Sequence, residues 1–324
     1  MVRSVRSFAM AKTKKTKPIK VKRQMNPERR AMLRRAAIHL AILVAVIGAA
    51  GAGLYFARQY VDRRLTFYDH APKIVLKDRP AWMSDFLAEQ IIAAAQPVGA
   101  SSTFSRQTLV DVGDALRNNP WIRNVTQIRR AYSNRPGDTI EIDCEFRVPL
   151  ALVHWKDYFW LVDSEGVKLP EQFTQKQLQQ VIYGRDNKLL FRVIEGVRQP
   201  PVESGRKWTG EDLAAGLTLA QYLSGQPFAE EVVRIDVANF GGRDNQKEAQ
   251  LVLLTKRGSE VRWGRPVNAK DFFIEVSVAQ KLDYMRRVYT QFGRVDANQA
   301  WIDIRFDKIT YPSSEPEARL DSIR

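Results

Sequence analysis

Apolar residues follow three regimes along this chain. Residues 1–35 carry few of them, residues 36–57 form 22 consecutive positions without a charge, and from Lys73 onward short segments switch between helical and strand spacing. At about 1.5 Å rise per residue the unbroken run can cross a hydrocarbon core about 30 Å thick. Lys73 to Leu76 reads as a strand. Ser84 can cap a helix running to about Ala95, with Leu87, Ile91 and Ala94 or Ala95 inward, and Pro97-Val98-Gly99 ends it. Leu109, Val112 and Leu116 then give a second helix one apolar face. Asn118-Asn119-Pro120 stops it, because proline disfavours helical geometry before it and cannot donate a backbone hydrogen bond. Residues 121–130 follow as a strand and residues 133–138 as a turn. From there Ile140, Ile142, Cys144 and Phe146 face one way while Glu141, Asp143, Glu145 and Arg147 face the other, the period of a half-buried antiparallel strand.

Beyond Ala151 the spacing predicts short strands with few helices. Residues 151–155 and 159–162 flank a tight connection, and Asp163-Ser164-Glu165-Gly166 turns the chain into Val167-Lys168-Leu169. Thr209 and Asp212 have the spacing of a capping box for a helix whose core face is Leu213, Leu217, Ala220 and Leu223. Strands follow near residues 232–237, 250–255 and 260–263, then a helix carrying Lys281, Leu282 and Met285, and last the strand pair 301–306 and 308–311. Gly241-Gly242 opens no helix, so a phosphate-binding loop is a poor reading. The fold class expected is α+β: one transmembrane helix, a small β-α-α-β-β domain, and a mostly antiparallel β domain with flanking helices.

Charge changes this picture less than its total suggests. Of the formal +15, residues 1–35 supply 13 Lys and Arg against Glu28 alone, leaving 38 basic and 35 acidic residues in the other 289. The excess is a tail, not a folded positive groove, so no nucleic-acid partner is expected. That tail precedes the apolar run, and the positive-inside rule then puts the N-terminus in the cytoplasm and everything after Ala57 outside. A cleaved signal peptide at Ala50-Gly51-Ala52 is the competing reading; the long tail and the wide run favour an uncleaved anchor. The tail, broken by Pro18 and Pro27, is expected to be disordered. Ala45, Ala49 and Gly53 recur at four-residue intervals, a spacing that lets two membrane helices approach and self-associate weakly, although small residues are also simply common there. The single cysteine, Cys144, excludes an intrachain disulfide and a multi-cysteine metal site, and reads as a core residue.

Several phrases together resemble one family. Pro120-Trp121-Ile122, Arg129-Arg130, Thr139-Ile140-Glu141-Ile142 and the run from Glu145 through Val148-Pro149 to Ala151 resemble the end of the POTRA domain in the bacterial cell-division family FtsQ/DivIB. Trp160-Leu161-Val162-Asp163, Val261-Arg262-Trp263-Gly264, Lys281-Leu282 and Ala300-Trp301-Ile302-Asp303-Ile304-Arg305-Phe306 resemble that family's β domain. The likeness spans residues 30–311. It departs in lacking a glycine shortly after the first strand, in residues 271–278 before the Lys-Leu pair, and in the short turn Asp307-Lys308. It implies a basic cytoplasmic tail (1–35), a membrane helix (36–57), a linker (58–72), a POTRA domain (73–149), a β domain (150–311) and a polar tail (312–324). It further implies a single-pass protein of the cytoplasmic (inner) membrane that binds small coiled-coil division proteins of the FtsB/DivIC and FtsL type, and other division proteins, through its extracytoplasmic domains. By position Arg305, Phe306, Ile309, Thr310 and Tyr311 would make the contact, as a sheet edge with aromatic anchors. The plainer alternative is that Phe306 and Tyr311 cap the core.

No catalytic signature is present. His70 and His154 lack partners at metal-ligand spacing, and no Gly-x-Ser-x-Gly, Walker or Ser-x-x-Lys sequence occurs. The sequence therefore leads us to expect no catalytic residues, no cofactor and no metal. Two other functions stay open: a POTRA-bearing component of protein export or outer-membrane insertion, and a membrane-anchored cell-wall hydrolase whose paired acids would come together only in the fold.

Overall fold

A computed structural model describes residues 27–65, 72–97, 105–132, 136–269 and 275–312. The expectations for residues 1–26, the stop at Val98-Gly99, the turn residues 133–135, residues 271–274, His70 and the tail from residue 313 lie outside the described residues. The chain divides into two compact units, Met1–Phe67 and Tyr68–Arg324.

Among its described residues the first unit contains one helix, α1 (Pro27–Leu65), of 39 residues. It is longer at both ends than the apolar run. Pro27 fits the first helical position, where its missing N–H costs nothing, and Glu28 faces the positive end of the helix dipole. The stretch expected as disordered tail is thus helical from Pro27, and the expected linker is helical to Leu65, with no Gly or Pro in residues 54–71 to stop it earlier. The helix over residues 28–60 is long and apolar enough to cross a membrane, or to serve as a signal sequence.

The second unit opens with the β-α-α-β-β element: β1 (Lys73–Leu76), α2 (Asp85–Ala95), α3 (Arg106–Arg117), β2 (Ile122–Tyr132) and β3 (Pro136–Phe146). The strand order is β1-β3-β2, with β1 parallel and β2 antiparallel to the central β3. Ser84 caps α2 by accepting from the Leu87 N–H at 3.2 Å. Ile91, Val112, Leu116, Ile140 and Ile142 are buried between helices and sheet. Cys144 is only half-buried. Burial, and then the charge of Asp143, push its thiol up to about 11.

An eight-stranded mixed sheet follows, in the order β11-β10-β9-β8-β7-β4-β5-β6. Its strands are β4 (Pro149–Trp155), β5 (Tyr158–Asp163), β6 (Lys168–Thr174), β7 (Arg192–Glu195), β8 (Val232–Asp236), β9 (Leu251–Thr255), β10 (Glu260–Gly264) and β11 (Trp301–Asp303). Antiparallel ladders predominate; β4–β7, β7–β8 and β10–β11 are parallel. Helices α5 (Glu211–Ser224) and α6 (Val278–Phe292) share the core with Ala151, Val153, Ile194, Ile235, Leu253, Val261 and Ile302. On the opposite face α4 (Gln175–Ile182) brings Leu178 and Ile182 to Leu152, Leu161, Val193 and Val233. The sequence reading overlooked α4. Its signal was Thr174-x-x-Gln177, where the Gln177 Oε1 accepts from the Thr174 N–H at 2.9 Å.

The capping box expected at Thr209 is absent, because Gly210 (φ +155°) is the N-cap of α5. Asp212 instead accepts the Arg198 N–H at 2.9 Å and the Arg243 Nη1 at 3.0 Å, tying the helix start to two loops. At the other end of α5 the buried Arg192 donates to Ser224 Oγ (3.2 Å) and Ala229 O (2.6 Å), and burial pushes its pKa down to about 10. The negative end of the α5 dipole favours a cation there.

Arg147 is not on a solvated strand face as its alternation suggested. It lies just past β3, and its side chain is 14% exposed, bonded to Asp163 at 2.7 Å and Glu165 at 3.0 Å. Together with Arg123–Glu165 at 2.6 Å and Trp121 Nε1 to Glu171 at 3.2 Å, it joins the β-α-α-β-β element to the large sheet. Burial raises the pKa of Glu171, and the Trp121 bond opposes that only in part.

Candidate partner-binding edge

The large sheet ends at β11, and the residues beyond it decide what that edge presents. Both strands of the expected final pair are shorter than the sequence suggested. β11 stops at Asp303, and of residues 308–311 only Thr310 makes a β-bridge. Asp303 causes the stop. Its carboxylate accepts the Arg305 N–H at 3.0 Å, which bends the chain, and the Arg305 carbonyl turns away to accept the Val276 N–H at 2.8 Å.

The chain then folds back as a hairpin. Asp303 N–H donates to Thr310 O at 2.9 Å and Thr310 N–H to Asp303 O at 3.0 Å. Since both polar groups of Thr310 face Asp303, strand alternation turns those of Ile309 and Tyr311 outward. Among the described residues, the outermost segment on this side of the sheet is therefore 309–311 rather than β11 itself.

The side chains expected here play different parts. Arg305 lies flat against Asp303, with Nε at 3.0 Å from both carboxylate oxygens and Nη2 at 2.6 Å from Oδ2, and its Nη1 reaches Lys247 O at 3.0 Å. Hydrogen bonding to Asp303 holds the guanidinium pKa above its ordinary value. The Phe306 ring centroid is 5.0 Å from the Arg305 Cζ. Phe306 and Tyr311 are each 41% exposed, so neither is a buried core cap. Ile309 is half-buried against the core, and Thr310 is exposed. Tyr284 on α6 donates to Asp307 O at 2.7 Å and holds the hairpin tip. Two neighbours were not among the expected contact residues: Asp303, which fixes Arg305, and Arg262, whose Cζ lies 4.1 Å over the Trp301 ring. The spacing of Asp303 and Arg305 is a signal that could have found the pair.

The face of the sheet not covered by α5 and α6 carries α4 toward β6 and a cavity beside Arg305. A cavity of about 400 Å³ is lined by Asp236, Asn239, Glu248, Leu254, Arg262 and Arg305 among others. Glu195 and Asp236 are register partners beside it, two acids on adjacent strands. Burial raises the Glu195 pKa, but Arg234 stands 3.4 Å from it, and Asp236 is engaged by the Ala238 N–H at 2.7 Å. Among the described residues no group of three His, Cys, Asp or Glu could hold a metal, and His154 stacks on Phe159 at 4.5 Å.

On α1 the three small residues Ala45, Ala49 and Gly53 are exposed, with open space around Gly53.

No protein-family model matches the chain, and no curated protein matches it in sequence.

Proposed function

We propose that this protein is a non-catalytic, single-pass scaffold of bacterial cell division, of the FtsQ/DivIB kind, held in the cytoplasmic membrane by α1. Its N-terminus is cytoplasmic, and its β-α-α-β-β and large-sheet domains are extracytoplasmic. The observation that carries the reading is the 309–311 segment, where among the described residues the bridge of Thr310 to Asp303 leaves the backbone groups of Ile309 and Tyr311 turned outward, with the rings of Phe306 and Tyr311 exposed. Such an edge accepts an added strand, with main-chain bonds supplying affinity and aromatic side chains anchoring it. The element order supports the same reading, because a small β-α-α-β-β unit followed by one sheet domain after a membrane-length helix is what the sequence resemblance implies. The partners are small membrane-anchored coiled-coil division proteins of the FtsB/DivIC and FtsL type.

The test is affinity purification of the full-length protein beside a Phe306→Asp, Tyr311→Asp variant that retains its folded domains. Co-purification of small coiled-coil division proteins with the parent, lost in the variant, is the expected result. Their absence from both, with export components recovered instead, would overturn the assignment in favour of a POTRA-bearing export function.

A further inference from the structure

The hairpin is held from behind by a buried charge pair. Lys281 on α6 has a side chain only 4% exposed, yet it is not an apolar contact. Its Nζ donates to Trp263 O at 2.8 Å, at the end of β10, and to the Glu275 carboxylate at 2.7 Å. The same carboxylate accepts the Arg265 N–H at 3.0 Å. One residue on, the Val276 N–H holds the Arg305 carbonyl at 2.8 Å. Gly264 makes room for this. Its φ is +91°, and a Cβ there would stand 2.6 Å from the Glu275 Oε1 and 2.8 Å from Arg305 Cδ. Burial lowers the Lys281 pKa, while Glu275 and Asp303 oppose that and Arg305 adds to it. Replacing both members of such a pair by apolar side chains is often neutral for stability, whereas the bonds of this pair tie α6, the end of β10 and segment 275–277 together at one point.

We propose that Lys281 and Glu275 are positioning residues, which fix segment 275–277 against Arg305 and so present the 303–311 hairpin as a preformed edge. Its importance for partner binding rests on the docking function above; the positioning itself does not. A preformed edge binds without the entropic cost of ordering it first.

The test is hydrogen exchange on the full-length protein in detergent micelles. Lys281→Met should raise exchange about tenfold in the segments containing Val276, Asp303 and Thr310 while leaving α5 and β3 unchanged. Gly264→Ala, which displaces Glu275 but keeps Lys281, should do the same and serves if the first variant does not fold. Unchanged exchange at those segments, or an equal rise in α5 and β4, overturns the positioning role whatever partners are captured. Loosening of the hairpin with partner capture intact supports positioning and overturns docking at this edge.

Discussion

Replacing Arg147 by Met tests what joins the β-α-α-β-β element to the large sheet. Arg147 is 14% exposed and donates to Asp163, which is 5% exposed, and to the more open Glu165. Removing one partner from a buried pair costs about 3–5 kcal/mol. Here the cost is smaller. Asp163 keeps the Glu165 and Val167 N–H donors at 2.9 and 2.8 Å, and Glu165 is 42% exposed. About 2–3 kcal/mol is expected. For a unit of this size each kcal/mol moves the melting midpoint by about 2–4 °C, so the variant should melt about 4–12 °C lower.

The pH dependence provides a second reading of the same contact. Hydrogen bonding to Arg147 is the largest influence holding the Glu165 carboxyl below its ordinary range. Its contribution is therefore present above the unfolded value of about 4.3 and lost as pH falls through the lower folded value. Arg147→Met should lose part of that acid dependence. Calorimetry from pH 7 to pH 3 measures both effects, with Glu165→Gln and the double variant completing a cycle. A midpoint within 1 °C of the parent, with an unchanged pH profile, would refute a buried, stabilising junction.

Gly196 has φ +81°, and a Cβ there would stand 2.5 Å from Ala238 N; Gly196→Ala should cost about 3 kcal/mol or more in denaturant unfolding, and under about 1 kcal/mol would contradict that packing. With its thiol pushed up to about 11, Cys144 is about 0.1% ionised at pH 8 and should react with alkylating agents about a hundredfold slower than a free thiol. Timed mass spectrometry checks this, and modification at the free-thiol rate would show the strand face to be open.

Much of this architecture was legible because it depends on local spacing. The 22 uncharged residues specify a membrane-length helix without reference to any neighbour, and Leu109, Val112 and Leu116, like Ile140 and Ile142, commit their faces through period alone. Ser84 was readable as a cap because its bond spans three residues. The strands near 232–237, 250–255 and 260–263 likewise announced themselves, whereas their order in one eight-stranded sheet, with three parallel ladders, depends on pairings between residues far apart in the chain. The candidate site divides in the same way. Aromatic residues near the C-terminus were visible, but the bend at Asp303 and the outward turn of the Ile309 and Tyr311 backbone groups follow from bonds between Asp303 and Thr310 and between Val276 and Arg305. Arg147 shows the limit most clearly. Alternation along β3 assigns it to water, and only the approach of Asp163, on another strand, makes it a buried cation. Periodicity determines which face of an element is apolar. Which distant group meets a charge is decided by tertiary closure, because that energy depends on burial and separation that no local window contains.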